Sequence, residues 1–536
     1  MGKIMLRRVL SSTSLLLALF VFVAGIHAKT LRWSSQGDMQ STDPHAAAEG
    51  LTSSINAHVY EALVGRNQKQ EPVPALALSW VRTSPTVWVF TLREGVKFHD
   101  GSPFTADDVV FSIERAQRPP STFRGFALPI GKPRKIDNLT VEFTTPEPNP
   151  VMIGHISILP MMSKAWCVKN KAERSQDLAG KEESFSARNA NGTGPYILVS
   201  REPDVKTVFK KNPHWWGIAA KRFEGNVDDF IYLPLKSDVT RMAALSSGEI
   251  DFVLDPPLQN IEQLKRNPTL RLFEGRENRI IFFTLDQARD ELLYSSVKGK
   301  NPFKDKRVRQ AMYQAINIEA IRSQVMRGMS TPTGSTLPNP DAAGIPAAQQ
   351  RRLPYDIAAA NKLMNDAGYG SGFEVTLDCP NNRYVNDERI CVAAAGMLAR
   401  IGINVKVNAM PRAQWFPKAL KRDTSFVLLG YAGIAADGDA FHTLGPVMHS
   451  PDGKGNGEFN FGGVRDEALD KLIEAQAGEL DPAKRQQMIR DAIKLHDDNI
   501  YHLPLHFQFI PWAARANVSV EHRSSNALYV PWVTIN

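Results

Sequence analysis

Cysteine is scarce in this chain: Cys167, Cys379 and Cys391 are the three among 536 residues. A fold stapled by several disulfides is excluded, and the spacings do not fit a zinc pattern. An oxidising compartment permits one bridge and leaves one thiol. Cys379 and Cys391 bracket a single loop and are the favoured pair; three buried thiols are the competing reading. Catalytic signatures are missing as well. There is no His-Glu-x-x-His, no Gly-x-Ser-x-Gly and no phosphate loop. Gly453, Gly455 and Gly457 lie in a polar stretch without the Lys-Ser/Thr ending that a phosphate loop needs. Asp437 and Asp439, spaced i, i+2, could mimic a carboxylate pair only weakly. These absences weigh against an enzyme. Beyond the N-terminal region no apolar run reaches the ~18 residues of a membrane-spanning helix. Positive charge exceeds negative modestly, 64 Lys and Arg against 56 Asp and Glu. No basic stretch is interleaved with aromatics, which weighs against a nucleic-acid partner. No internal repeat and no low-complexity tract is visible.

What is present begins with an expected signal peptide over residues 1–28. Lys3, Arg7 and Arg8 make a positive start, and Leu15 to Gly25 is unbroken apolar chain, long enough for a leader and too short to span a bilayer. Ala28 offers a cleavage point. No Cys follows the run, so a lipid anchor is not expected, and a secreted product implies a periplasm. A hydrophobic fraction of 43% with nine Trp suffices for sizeable cores.

Strand and helix signals alternate irregularly with Pro and Gly punctuation, the pattern of an α/β protein of several lobes. Val87 to Leu92 reads as a strand with both faces at least partly buried. Thr105 reads as a helix cap with Asp108 in the capping-box position. A helix is expected from about Lys306 to Arg322. The clearest stretch runs from 354 to 430. A helix over Pro354 to Ala367 is closed by Gly368. A strand carries Phe373, Val375 and Leu377, a helix runs from Asp387 to about Arg400, and a second strand carries Ile403, Val405 and Val407. This βαβ unit demands parallel strands. Phe426 to Gly430 reads as a further strand. Ligands of such sheets sit beyond the carboxyl ends of strands, which selects the loop 379–386 and, if the Phe426 strand runs parallel to the first, the loop 431–441.

The block Val87 to Ala116, the run Gly192-Thr193-Gly194-Pro195-Tyr196, and Asn212-Pro213-His214-Trp215-Trp216 resemble segments of the large solute-binding proteins of peptide- and nickel-type ABC importers. Phe303 to Ala311 is similar to the start of that family's second lobe. The resemblance implies a two-lobed periplasmic-binding fold with hinge crossovers and an inserted subdomain. Lobe I would be 29–57, 193–287 and 503–536, the insertion 58–192, and lobe II 288–502. It implies a monomer that traps a small organic, peptide-like solute and docks on the transmembrane subunits of a permease, with no cofactor. His99 and Asp100 are expected to be framework. Arg383, beside Tyr384, stands where dipeptide-binding members place an Arg for the peptide carboxylate; an ion pair with Asp387 or Glu388 is the alternative. Ile434 stands where those members place an Asp for the peptide amine, leaving Asp437 or Asp439 as substitutes near Tyr431. Gly37, Asp38 and Met39, after the first strand, should also line the cleft. Members that bind nickel chelates, opines or sugar-phosphate derivatives share the fold, and His442, His449, His502 and His506 are the histidines a metal reading would use.

Overall fold

The computed structural model describes residues 28–178, 180, 183–432, 439–453 and 455–536. The expected leader, apart from Ala28, lies outside them, as do Ile434 and Asp437. Strand β1 (Thr30–Ser35) is followed by a separate four-stranded antiparallel sheet of β2 (Ala77–Ser84), β3 (Val87–Leu92), β4 (Lys132–Asp137) and β5 (Thr140–Thr144), in the order β2-β3-β5-β4. Its one buried face carries Phe90, Leu92, Val141 and Phe143 and packs on helix α1 (Ala106–Gln117). On the opposite face Val87 and Val89 are half-buried and Thr91 is exposed, so both faces are at least partly buried, as the sequence suggested, one more fully than the other. The Thr105–Asp108 capping box forms, with the Thr105 N–H donating to Asp108 Oδ2 at 2.9 Å.

The two most distinctive segments of the sequence touch. The His99 N–H donates to the Gly192 carbonyl (2.9 Å), and the Asp100 N–H to Asn191 Oδ1 (3.1 Å). A Cβ on Gly192 would lie 1.9 Å from the Val59 carbonyl oxygen, so this return of the chain needs glycine. Helix α1 is also clamped to residues 43–45. Arg115 on α1 makes a bidentate ion pair with Asp43 (2.9 and 2.6 Å), both side chains almost wholly buried.

The large sheet continues with β6 (Tyr196–Glu202), β7 (Lys206–Lys211), β8 (Asp229–Pro234), β9 (Phe252–Leu254), β10 (Leu270–Leu285), β11 (Ser330–Pro332), β12 (Phe373–Pro380), β13 (Ile403–Met410), β14 (Phe426–Tyr431) and β15 (His502–Arg515). Its order is β13-β12-β14-β10-β15-β9-β1-β8-β7-β6, with β11 pairing off the path on β15. Two long strands therefore join two half-sheets. β10 and β15 pair antiparallel from Leu270↔Arg515 to Thr284↔His502, and the register slips between Arg276↔Phe509 and Ile280↔Phe507. A bulge at that point bends the strand that carries the extra residues.

Around the sheet lie α2 (Asp238–Ser247), α3 (Lys306–Ala315), α4 (Ile357–Asp366), α5 (Asp387–Leu398), α6 (Arg412–Leu420), α7 (Glu467–Gly478) and α8 (Pro482–Asp498). The βαβ unit is as read: Phe373 to Pro380 pairs in parallel with Ile403 to Met410, and Leu377 in parallel with Phe426. The expected helix Lys306 to Arg322 is instead broken. α3 ends at Ala315, and Asn317 starts a new turn by accepting the Ala320 N–H (3.0 Å). A side chain that competes for backbone donors favours a cap over a helix interior.

Candidate functional site

The parallel strands of the two half-sheets point their carboxyl ends at each other. On one side β9 runs parallel to β1 and β1 to β8. Its last residue, Leu254, sits opposite Trp512, which in turn faces Phe273 of β10. On the other side β14 runs parallel to β12 and ends at Tyr431, opposite Ile280 of β10. Between these levels lies the bulged stretch Glu274–Arg279. The carboxyl ends of β1, β9, β12 and β14 thus converge on the crossing of the two long strands, the place where open α/β sheets bind ligands.

The loop after β12 is built rigidly. Cys379 and Cys391 are joined by a disulfide that ties the end of β12 to α5. The buried Asp387 carboxylate accepts the N–H groups of Arg383 (2.9 Å), Tyr384 (3.0 Å) and Glu388 (3.0 Å). Asp387 therefore folds the loop and leaves the Arg383 guanidinium alone, contrary to the ion pair weighed from sequence. Arg383 is exposed, and its guanidinium has no hydrogen-bond or ion-pair partner among the described residues. It lies 5.3 Å from the Tyr384 ring centre. Desolvation, then the charge of Arg279, hold its pKa below the usual arginine value. A cation so placed gains from a carboxylate brought by a ligand.

The bulge anchors this loop. Gln508 accepts the Val385 N–H (3.0 Å) and donates to Glu277 Oε2 (2.8 Å). Arg279 donates to the same Glu277 oxygen (2.9 Å) and to the Gly430 carbonyl (3.2 Å), with its guanidinium 5.7 Å from the Tyr384 ring centre. Tyr384 packs edge-on to Trp415 at 6.4 Å. It also fills the space over Gly430, where a Cβ would stand 2.5 Å from its ring.

The other expected residues have internal partners. The Gly37 carbonyl accepts the Tyr232 hydroxyl. Asp38 pairs with Arg201 at 3.2 Å and accepts the Asp204 N–H at 2.9 Å. Met39 is 1% exposed, in the core with Trp33 and Tyr232. The Tyr431 hydroxyl donates to the His442 carbonyl (2.6 Å), and its ring packs on Phe459. Asp439 accepts a bidentate pair from Arg485 on α8 (2.8 and 2.7 Å). Burial opposes its ionisation, but Arg485 prevails and holds its pKa below the usual carboxylate value. Arg383, Tyr384 and Tyr431 thus reach the strand crossing, whereas Asp38 and Asp439 carry charges already matched within the protein. Sequence reasoning missed Asp255, Glu277 and Arg279. Among the described residues no group of three or more His, Cys, Asp or Glu side chains is arranged to hold a metal.

This arrangement is that of a binding protein. Residues 71–445 match the family model described as bacterial extracellular solute-binding proteins, family 5 middle, and the chain belongs to that family. The chain is 27% identical over 461 residues to the glutathione-binding protein GsiB of Pectobacterium atrosepticum, covering 84% of this chain and 83% of that one. Among solved structures it resembles CtaP, an ABC transporter substrate-binding protein of Listeria monocytogenes (TM-score 0.81, 20% identity, 95% and 99% of the two chains). It also resembles the periplasmic binding protein DppA of Helicobacter pylori in complex with peptide STSA (TM-score 0.76, 22% identity, 94% and 98%). No described helix is long and apolar enough to cross a membrane.

Proposed function

We propose that this protein works in the periplasm as the monomeric solute-receiving component of an ABC importer. It captures a peptide-like solute through a carboxylate held by Arg383 and delivers it to the transmembrane subunits of the permease. The observation that carries the reading is an unmatched guanidinium on a loop pinned at both ends by the disulfide and at its centre by Asp387. Such preorganisation lowers the entropy cost of binding. A planar guanidinium grips a carboxylate with two charge-assisted hydrogen bonds.

The lobes in this proposal are 29–57 with 193–287 and 503–536, and 288–502, with 58–192 inserted; residues 1–28 would be removed on export. The pivot is drawn at the register slip of Glu277–Arg279 and Gln508, which lies between the two half-sheets and a few residues inside the first lobe's ends at 287 and 503. Closure about it brings the loops after β1 and β9 towards those after β12 and β14. The relatives named for glutathione make that tripeptide the first solute to test, beside dipeptides and tripeptides. The experiment is a thermal-shift screen. A solute at a hundredfold excess over its Kd should add about 2.7 kcal/mol of stability. No shift with any carboxylate-bearing peptide would refute the reading.

A further inference from the structure

Asp255 follows β9 directly and stands on the rim that faces the Arg383 loop across the strand crossing. Its backbone is left-handed (φ 56°), a conformation that non-glycine residues adopt at a cost and that recurs at binding sites. One carboxylate oxygen is fixed: Asn526 Nδ2 donates to Oδ1 at 2.9 Å, and Asn526 is itself oriented by Trp512 Nε1 at 2.7 Å. Asp255 Oδ2 has no hydrogen-bond partner among the described residues, and the residue is only partly buried.

The charged groups around it are Glu277 and Arg279 from β10 and Arg241 from α2. Both cations are matched elsewhere. Arg279 is held by Glu277 and the Gly430 carbonyl. Arg241 is held by Asp238 (2.6 Å) and the Leu235 carbonyl (2.7 Å). The negative charge of Asp255 is therefore uncompensated on one rim, as the positive charge of Arg383 is on the other. Of the carboxylates the sequence suggested for a solute amine, Asp38 and Asp439 are each paired with an arginine of the protein, and Asp437 lies outside the described residues.

We infer that Asp255 is the cation-receiving group of the cleft: its free oxygen takes the ammonium of a solute whose carboxylate lies on Arg383, so the captured class is dipolar. This rests on the solute-binding reading above. Burial, the largest cause, pushes the Asp255 carboxyl up to about 7; the Asn526 hydrogen bond, Arg241 and Arg279 pull it down, and Glu277 adds to the rise. An ammonium favours the ionised form, so below that value a proton must leave before the ammonium binds. Affinity for amine-bearing solutes falls as pH drops below about 7, by up to roughly tenfold per pH unit.

The test offers the protein a library of dipeptides and tripeptides, glutathione included, each alongside its N-acetylated counterpart, and reads capture by mass spectrometry at pH 7.5 and 5.5. The wild type should prefer the free amine by at least about tenfold at pH 7.5 and lose most of that preference at pH 5.5. Asp255→Asn should lose the preference at both pH values while capturing acetylated peptides as the wild type does, which also shows the variant is folded. A preference that survives in Asp255→Asn overturns the inference. So does a preference independent of pH in the wild type, which needs no variant. Capture of acetylated and free peptides alike removes Asp255 but leaves solute binding intact, whereas capture of neither removes the solute-binding reading itself.

Discussion

Replacing Arg383 with Ala separates binding from folding. In the free protein the guanidinium has no partner among the described residues, and the loop is shaped by its backbone N–H on Asp387. Removing the side chain should therefore change stability by no more than ~0.5 kcal/mol, the range of surface substitutions away from structural features. Binding should suffer more. A hydrogen bond to a charged group contributes about 1.5–3 kcal/mol. Arg383 is exposed, and the cations Arg279 and Arg412 remain nearby, so the lower half of that range applies. A loss of about 2 kcal/mol is a Kd raised roughly thirtyfold. Arg383→Lys keeps the charge and loses the fork, and should fall between Ala and wild type. The assay is isothermal titration of each variant with the tightest binder from the peptide and glutathione screen, alongside a melting curve. A Kd unchanged within about twofold, with the melting curve also unchanged, would take Arg383 out of the site and refute the reasoning.

Arg115→Ala should destabilise the protein by about 3–5 kcal/mol, because it leaves the Asp43 carboxylate buried without its partner; a melting temperature within a degree or two of wild type would contradict this. The Arg485–Asp439 pair predicts an acid effect. Its folded pKa is depressed, so its stabilisation is present above the unfolded carboxylate value and is lost as pH falls through the folded pKa. Arg485→Ala should abolish that part of the acid transition in a pH series of denaturant melts. Reducing the Cys379–Cys391 bridge should cost about 2–3 kcal/mol by the chain-entropy estimate for a loop of this size. It should also weaken solute binding, since it frees one end of the Arg383 loop; titration with and without a reductant checks both.

The sequence made the fold legible wherever a local rule decides. The capping box at Thr105 and the βαβ unit over Phe373 to Met410 follow from local patterns, whereas the return at Gly192 was visible only through the resemblance to a family. The parallel run of β14 beside β12 was a condition in the sequence reading, and the register Leu377↔Phe426 fulfils it. The broken helix at Asn317 shows a local competitor, the Asn side chain, overriding a continuous apolar pattern. The site was less legible, because charge matching is long-range. Nothing near Asp38 indicates that Arg201 will reach it from β6, nor does the neighbourhood of Asp439 announce Arg485 on α8. The same is true of Glu277, Arg279 and Gln508, which acquire meaning only where the two long strands slip register. Topology led to loops at strand ends that meet at the crossing, and tertiary pairing decided which of their described charges stay available.

The central claim is a cleft that closes on its cargo about that slip. Small-angle X-ray scattering with and without a saturating captured peptide tests it most directly. The liganded protein should show a smaller radius of gyration and return to the free value when the peptide is dialysed away. Superimposable curves, with occupancy confirmed by mass spectrometry, would contradict it.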